Sequence, residues 1–358
     1  MIKILMLATL IGVNYDIAYL RCARNDDTNA NMAEVFWPVR LTPGTDLIYR
    51  RTDGFEEVLI NTEGKGCVLD PAPTNDGKSI LFSWIKDLTQ RDQQRWNMPI
   101  GGADIYKLNL ETREITQLTF QEFEPNQPDI FSKNPVIPEP GKYRLGYGII
   151  NSSPRELGDG RIVFTSNRYG YIAPKNFTFP SLQMFIMDGN GKSVECVTPM
   201  SINSVLHPVP LNDGSIMFSS YESQGRRDIR NWATWVINPD GTGWRSLFPS
   251  MVESLALHWQ TQSSNGLISV VGYYNNNNYG MGVLLGFPYF PAGTPVGNAN
   301  PADSSNPPVK ISIYPYNYKF PFSPPGVFSL TPWAHQMDRP STLGKVTQPF
   351  GAPNNDIS

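Results

Sequence analysis

The sequence is poor in cysteine. Its three cysteines, Cys22, Cys67 and Cys196, lie far apart and form neither a C-x-x-C pair nor a C-x-x-C-H segment. Structural zinc sites and covalent haem attachment both need cysteines at such short spacings. A cysteine-based metal site and a covalent haem site are therefore excluded within this chain.

Charged residues are scarce as well and nearly cancel. They make up 17% of the 358 residues, and 29 Lys and Arg against 32 Asp and Glu leave a net charge of −3. No Lys/Arg block forms the basic stripe typical of nucleic-acid-binding proteins, so we expect no nucleic-acid partner. The sequence also contains no G-x-S-x-G motif and no Gly-rich phosphate-binding loop, and it predicts no hydrolase.

Apolar runs are short. The amino end has one Lys followed by a run of ten mostly apolar residues, Ile4–Val13. That length is too short to span a bilayer but fits the core of an export signal. The alternative for residues 1–13 is a first buried β-strand, because no small-x-small cleavage site follows. We expect no membrane span and a periplasmic or secreted location.

Turn-forming and aromatic residues are abundant, with 30 Gly, 32 Pro and 12% aromatic residues, which favours an all-β protein. One phrase recurs: a polar residue, Pro, four further residues, a turn pair and a β-rich run. Its copies are Asp70-Pro71 before Asp76-Gly77, Ser153-Pro154 before Asp159-Gly160, His207-Pro208 before Asp213-Gly214, and Gln348-Pro349 before Asn354-Asn355. A looser copy has His258-Trp259 before Asn265-Gly266, with one residue inserted.

A third strand, a second turn and a fourth strand follow each phrase, in the segments 103–119, 182–198 and 233–248, and 45–60 is an earlier copy of this part of the unit. The unit is one four-stranded antiparallel blade of a β-propeller, in which Asp76, Asp159 and Asp213 are turn residues. We predict a single propeller domain over 14–358 with inserts at 120–150 and 285–335. Six to seven blades are expected in the full protein and five to six in this chain, the last incomplete at the carboxyl end.

The motif DG-x-I-x-F-x-S and the segment DIYKLNLETREITQLT resemble the propeller repeats of the TolB and PD40 type. The segment HPVPLNDGSIMFSSYESQGRRDIRNWATWVINPDGTGWRSL is similar to the propeller of hydrazine synthase alpha subunit-like proteins. The resemblance implies export and, in the second family, haem held by C-x-x-C-H segments. This chain lacks that motif, so haem would have to be supplied outside it.

The first strand of a propeller blade lines the central channel. Five polar side chains at the start of the phrase are therefore predicted to form a ring: Asp70, Ser153, His207, His258 and Gln348. Two imidazoles and a carboxylate, from His207, His258 and Asp70, could hold a divalent metal, and the ring as a whole could hold a small polar ligand. The alternative is a solvent-lined channel that binds only water.

Two other regions are weaker candidates. Glu222, Arg226, Arg227 and Asp228 lie between the second and third strands of the His207 blade, where an Arg could clamp an anion; Tyr274 occupies the corresponding place one blade later. The insert 285–335, rich in Pro, Gly and aromatic residues, is either a lid or a surface for a protein partner. The function predicted is an exported binding or interaction scaffold without catalytic residues in this chain. The alternative is the propeller part of a haem-dependent oxidoreductase subunit.

Overall fold

In a computed structural model of the protein, the repeated units form five blades of a β-propeller within the residues that the structure describes. The structure describes residues 14–22, 41–90, 99–120, 148–169, 181–198, 204–221, 232–248, 255–274, 282–289, 310–311, 318–319, 328–331, 346 and 348–352. All the helix or strand elements within these ranges are β-strands. The predicted all-β propeller, with five to six blades present, is confirmed.

The blades follow one another along the chain. Blade 1 has three strands, β1 (Ile17–Arg21), β2 (Asp46–Arg50) and β3 (Glu56–Ile60). Blade 2 has β4 (Cys67–Pro73), β5 (Ser79–Ile85), β6 (Asp104–Asn109) and β7 (Ile115–Gln117). Blade 3 has β8 (Asn151–Glu156), β9 (Ile162–Ser166), β10 (Gln183–Met187) and β11 (Glu195–Cys196). Blade 4 has β12 (Val205–Pro210), β13 (Ile216–Tyr221), β14 (Trp232–Ile237) and β15 (Arg245–Phe248).

Blade 5 contains part of the region predicted as the insert 285–335. Its strands are β16 (Leu255–Gln262), β17 (Leu267–Tyr274), β18 (Val283–Pro288) and β21 (Phe328–Ser329). A hairpin of β19 (Lys310–Ile311) and β20 (Tyr318–Lys319) lies between β18 and β21 in the chain. The predicted insert therefore includes the outermost strand of a blade. This strand, β21, pairs with β18 although the two lie far apart in the sequence.

The Asp-Gly pairs form the turns between the first two strands of a blade. The Asp76 carboxylate accepts a hydrogen bond from the backbone N–H of Lys78 at 3.0 Å, and Gly77 has φ of +67°. Asp213 likewise accepts from the N–H of Ser215 at 3.0 Å. A carboxylate that bonds the backbone two residues on, followed by a Gly with positive φ, is the chemistry of a tight turn. These aspartates are turn residues, as predicted.

The hydrophobic core is divided among the gaps between consecutive blades. Successive side chains of a strand point to opposite faces, so each second strand contributes to two gaps. In β5, Phe82 packs against blade 1 residues and Leu81 packs against blade 3 residues. In β13, Phe218 packs with blade 3 and Met217 packs with blade 5. Continuous apolar runs in these strands are required because both faces are covered.

Backbone hydrogen bonds join each first strand to the blade before it. The N–H of Val68 donates to Thr45 O at 3.0 Å, that of Asn151 to Ala103 O at 3.0 Å, and that of Val205 to Leu182 O at 2.9 Å. Trp232 and Ala256 form the corresponding parallel bridge between blades 4 and 5. After blade 5, Val346 and Gly282 exchange two backbone hydrogen bonds, 2.9 and 3.0 Å long, but in an antiparallel bridge. Val346 therefore contacts blade 5 through a different pairing from the parallel bridges that precede blades 2, 3 and 5.

Truncation of Phe164 tests the packing between blades. Its side chain is fully buried between blades 2 and 3, and Phe164→Ala should lower the free energy of unfolding by about 3–5 kcal/mol because it leaves a cavity. Phe55→Ala is the matched control, since that side chain is 55% exposed. Urea unfolding of both variants makes the comparison. Equal losses would contradict the assignment of the core to the gaps between blades.

Candidate binding site on the propeller axis

Each of the four fully paired innermost strands carries a β-bulge at the same place. The register with the second strand shifts between Leu69 and Ala72, Ser152 and Arg155, Leu206 and Val209, and His258 and Thr261. The first residue inside each bulge has positive φ: Asp70 at 47°, Ser153 at 56°, His207 at 55° and Trp259 at 47°. Gln348 has φ of 50°. Such a bulge re-aims the side chain that it carries.

In the fifth blade, Trp259 occupies the bulge position that the sequence analysis gave to His258. Trp259 precedes Asn265 by the same six residues that separate His207 from Asp213, so this copy of the phrase has no inserted residue. Equal spacing was the sequence signal that could have identified it. His258 instead matches Leu206, one residue before the bulge, and it is fully buried.

A cavity of about 610 Å³ lies where the bulges meet. The bulge residues Asp70, His207 and Trp259 line it together with Gln348, which has the same positive φ. The rest of the wall includes residues 15–20 at β1 and 349–352. The structure therefore brings three of the five predicted ring residues to one cavity. Ser153 is not in the wall but donates its hydroxyl to Asp70 Oδ2 at 2.5 Å, which holds that carboxyl in place.

Arg155 is a wall residue that the sequence analysis missed. Its Nη1 donates to Pro154 O at 2.8 Å and to Asp70 O at 3.3 Å, and its Cζ lies 5.5 Å from the centre of the Phe350 ring. Burial raises the pKa of Asp70, against the opposing effects of the Arg155 charge and the Ser153 hydrogen bond. Burial also lowers the pKa of Arg155, against the effect of Asp70. The cavity thus holds a fixed cation next to a carboxyl group.

The bulge residues of blades 4 and 5 pack into one aromatic cluster. The His207 ring lies 4.9 Å from the Trp259 ring and 5.5 Å from the His258 ring, centre to centre. Gln260 fixes this arrangement, because its Nε2 donates to His207 O at 2.5 Å and its Oε1 accepts from Ser219 at 2.7 Å. Burial lowers the pKa of both histidines well below 6.5, and the charge of Arg155 adds to the effect at His207.

The remaining predictions concern the metal site, the loop candidates and the insert. In the described part of the chain, Asp70, His207 and His258 do not form a group of three metal-ligating side chains, and the metal site stays a prediction. Glu222, Arg226, Arg227 and Asp228 lie outside the described residues. Tyr274 is the last residue of β17 rather than part of the following loop. Docking of a partner on the insert also stays a prediction.

Comparison with known proteins supports the fold. No family model and no curated protein matches the sequence. The structure is similar to hydrazine synthase of Kuenenia stuttgartiensis, with a TM-score of 0.55 and 16% identity over 78% of this chain. The match covers 38% of the hydrazine synthase chain, so this chain spans well under half of its length. The expected resemblance to that propeller is confirmed for the fold.

Propellers of the TolB type are matched more loosely. TolB of Acinetobacter baumannii has a TM-score of 0.46 and 15% identity, over 76% of this chain and 50% of its own. Within the residues that the structure describes, no helix is long and apolar enough to cross a membrane.

The buried histidines predict how stability depends on pH. Because their pKa values are lowered in the folded protein, the unfolded chain binds more protons than the native one at acid pH. The free energy of unfolding should therefore fall as pH decreases below about 6.5, the pKa of histidine in an unfolded chain. His258→Gln should reduce that fall, as measured by urea unfolding across the range. A fall of the same size in this variant would contradict the prediction.

Proposed function

We propose that the protein is a binding scaffold that holds a small polar ligand in the cavity on the propeller axis. The observation that carries the proposal is the convergence of Asp70, His207, Trp259 and Gln348 on one space of about 610 Å³. Small-molecule sites typically measure about 300–1,000 Å³ and combine apolar walls with a few convergent polar groups. The cavity has both features.

The strained backbone around the cavity supports the proposal. A residue other than Gly in the left-handed region costs about 1–3 kcal/mol and persists only where its surroundings impose it. Here five such residues recur at equivalent positions, and one of them is a Trp. Four of the five side chains reach the same cavity, and their chemistry differs: a carboxyl, an imidazole, an indole and an amide. An asymmetric set of this kind is suited to recognising one defined molecule.

Filling the cavity tests the proposal. Gln348→Trp should fit, because Trp259 occupies the equivalent place in the repeated phrase at a similar φ, and it should reduce ligand retention at least about tenfold. The measurement is mass spectrometry of small molecules that stay bound to the purified wild-type and variant proteins. Asn190→Trp, on an exposed turn outside the cavity wall, is the matched control.

Two results would contradict cavity binding: no molecule retained by the wild type, or equal retention in the Gln348→Trp and Asn190→Trp proteins.

We further propose that this binding takes place outside the cytoplasm, on the basis of the apolar run Ile4–Val13 after Lys3. Fractionation of the expressing cells checks the location, and recovery from the cytoplasm alone would contradict it.

A second candidate function is favoured by the structural match to hydrazine synthase. In this second candidate function, the propeller of this chain is one part of a haem-dependent oxidoreductase subunit. The residues of this chain do not fit covalent haem, because none of Cys22, Cys67 and Cys196 stands in a C-x-x-C-H segment. The haem would be carried elsewhere. An absorption spectrum of the native protein purified from its source decides, since a haem band supports this candidate and its absence contradicts it.

A further inference from the structure

We propose that the ligand of the axial cavity is a small organic anion, with a carboxylate held by Arg155 and an apolar body against the aromatic wall. This inference rests on the proposed binding function and specifies its ligand class. It depends on three features of the cavity: how the Arg155 guanidinium is partnered, how the acidic side chains of the wall are partnered, and where the aromatic rings lie.

Arg155 has donors left for a ligand. Both of its described hydrogen bonds come from Nη1 and end on carbonyl oxygens, those of Pro154 and Asp70. Among the described residues, no carboxylate oxygen lies within 4.0 Å of the guanidinium, since the ion pairs found there involve other arginines. Nε and Nη2 can therefore form the two parallel bonds with which Arg binds a carboxylate. A ligand carboxylate would also compensate a cation that carbonyl groups only partly stabilise.

The acidic side chains of the wall are already engaged. Asp70 Oδ2 accepts the hydroxyl of Ser153 at 2.5 Å. Asp16 accepts the hydroxyl of Tyr49 at 2.6 Å and the N–H of Thr52 at 2.8 Å. Both carboxyl groups are thus held by donors of the protein itself. Asp70 acts on the Arg155 charge from beyond 4.0 Å but makes no direct ion pair with it in the described residues, so the guanidinium can still bind an anion, which favours an anion over an ammonium group.

The aromatic rings define the rest of the ligand. Phe350 lies beside the Arg155 guanidinium, 5.5 Å from Cζ to ring centre, so an apolar group next to the bound carboxylate would meet this ring. Trp259 is 5% exposed and its ring is supported by His207. Rigid aromatic walls stack well against planar ligands. Carboxylates on a flat apolar body, such as aromatic acids, fit both features.

Three probes of nearly equal size test the class on the unmodified full chain: benzoate, the neutral benzamide and the cationic benzylamine. Isothermal titration calorimetry at low salt and neutral pH should show benzoate binding at least about tenfold more tightly than either analogue. Added salt should weaken benzoate and leave benzamide unchanged, because only an ion pair is screened. Benzamide or benzylamine binding as tightly as benzoate would overturn the proposal, and the unmodified protein alone decides this.

Substitutions then test whether Arg155 supplies the positive charge that holds the carboxylate. Arg155→Gln should abolish the preference for benzoate, and Arg155→Lys should keep part of it, because the charge remains and the bidentate geometry is lost. Arg161→Gln is the control, since Arg161 pairs with Asp159 on an exposed turn. An unchanged preference in folded Arg155→Gln would overturn the role of this residue. If none of the probes binds while Gln348→Trp still loses retained molecules, the carboxylate class fails and cavity binding stands. If retention is also absent, both fail.

Discussion

The need to bury both faces of every blade is the constraint on which this structure depends. A single four-stranded blade cannot cover its own apolar side chains, so each blade is stable only between two others. The second strands show this directly, because neighbouring residues such as Leu81 and Phe82 enter different inter-blade cores. The ring arrangement follows from that two-sided demand, and the axial cavity follows from the ring.

The same demand explains why the inner strands are distorted in the same way. A backbone hydrogen bond to the preceding blade fixes the start of each strand, at Val68, Asn151 and Val205. The bulge comes two residues later in each case, at Asp70, Ser153 and His207. The hydrogen bond to the preceding blade and the bulge together direct one side chain per strand to the central region. Because both depend on the backbone, the side chain in the bulge position can vary, and the blades have different residues there.

The cavity combines those varied side chains with a charge that the repeat does not supply. Arg155 stands two residues after the bulge of blade 3, and the equivalent residues in blades 2 and 4 are Ala72 and Val209. The blade that places Ser153 behind Asp70 therefore also brings the cation into the wall. Blade 3 thus adds a positive charge to a ring whose side chains already differ from blade to blade.

The repeated phrase, the Asp-Gly turns and the two-faced apolar strands were predictable from the sequence alone, because each depends on residues close together in the chain. The sequence also contained the spacing of six residues from Trp259 to Asn265, which equals that from His207 to Asp213. The contacts of the site were not predictable in this way. Ser153 meets Asp70 across 83 residues, and His207 meets Trp259 across two different blades. Such pairs are set by the packing of whole blades around an axis, which leaves no local pattern, so only the tertiary structure decided which side chains share the cavity.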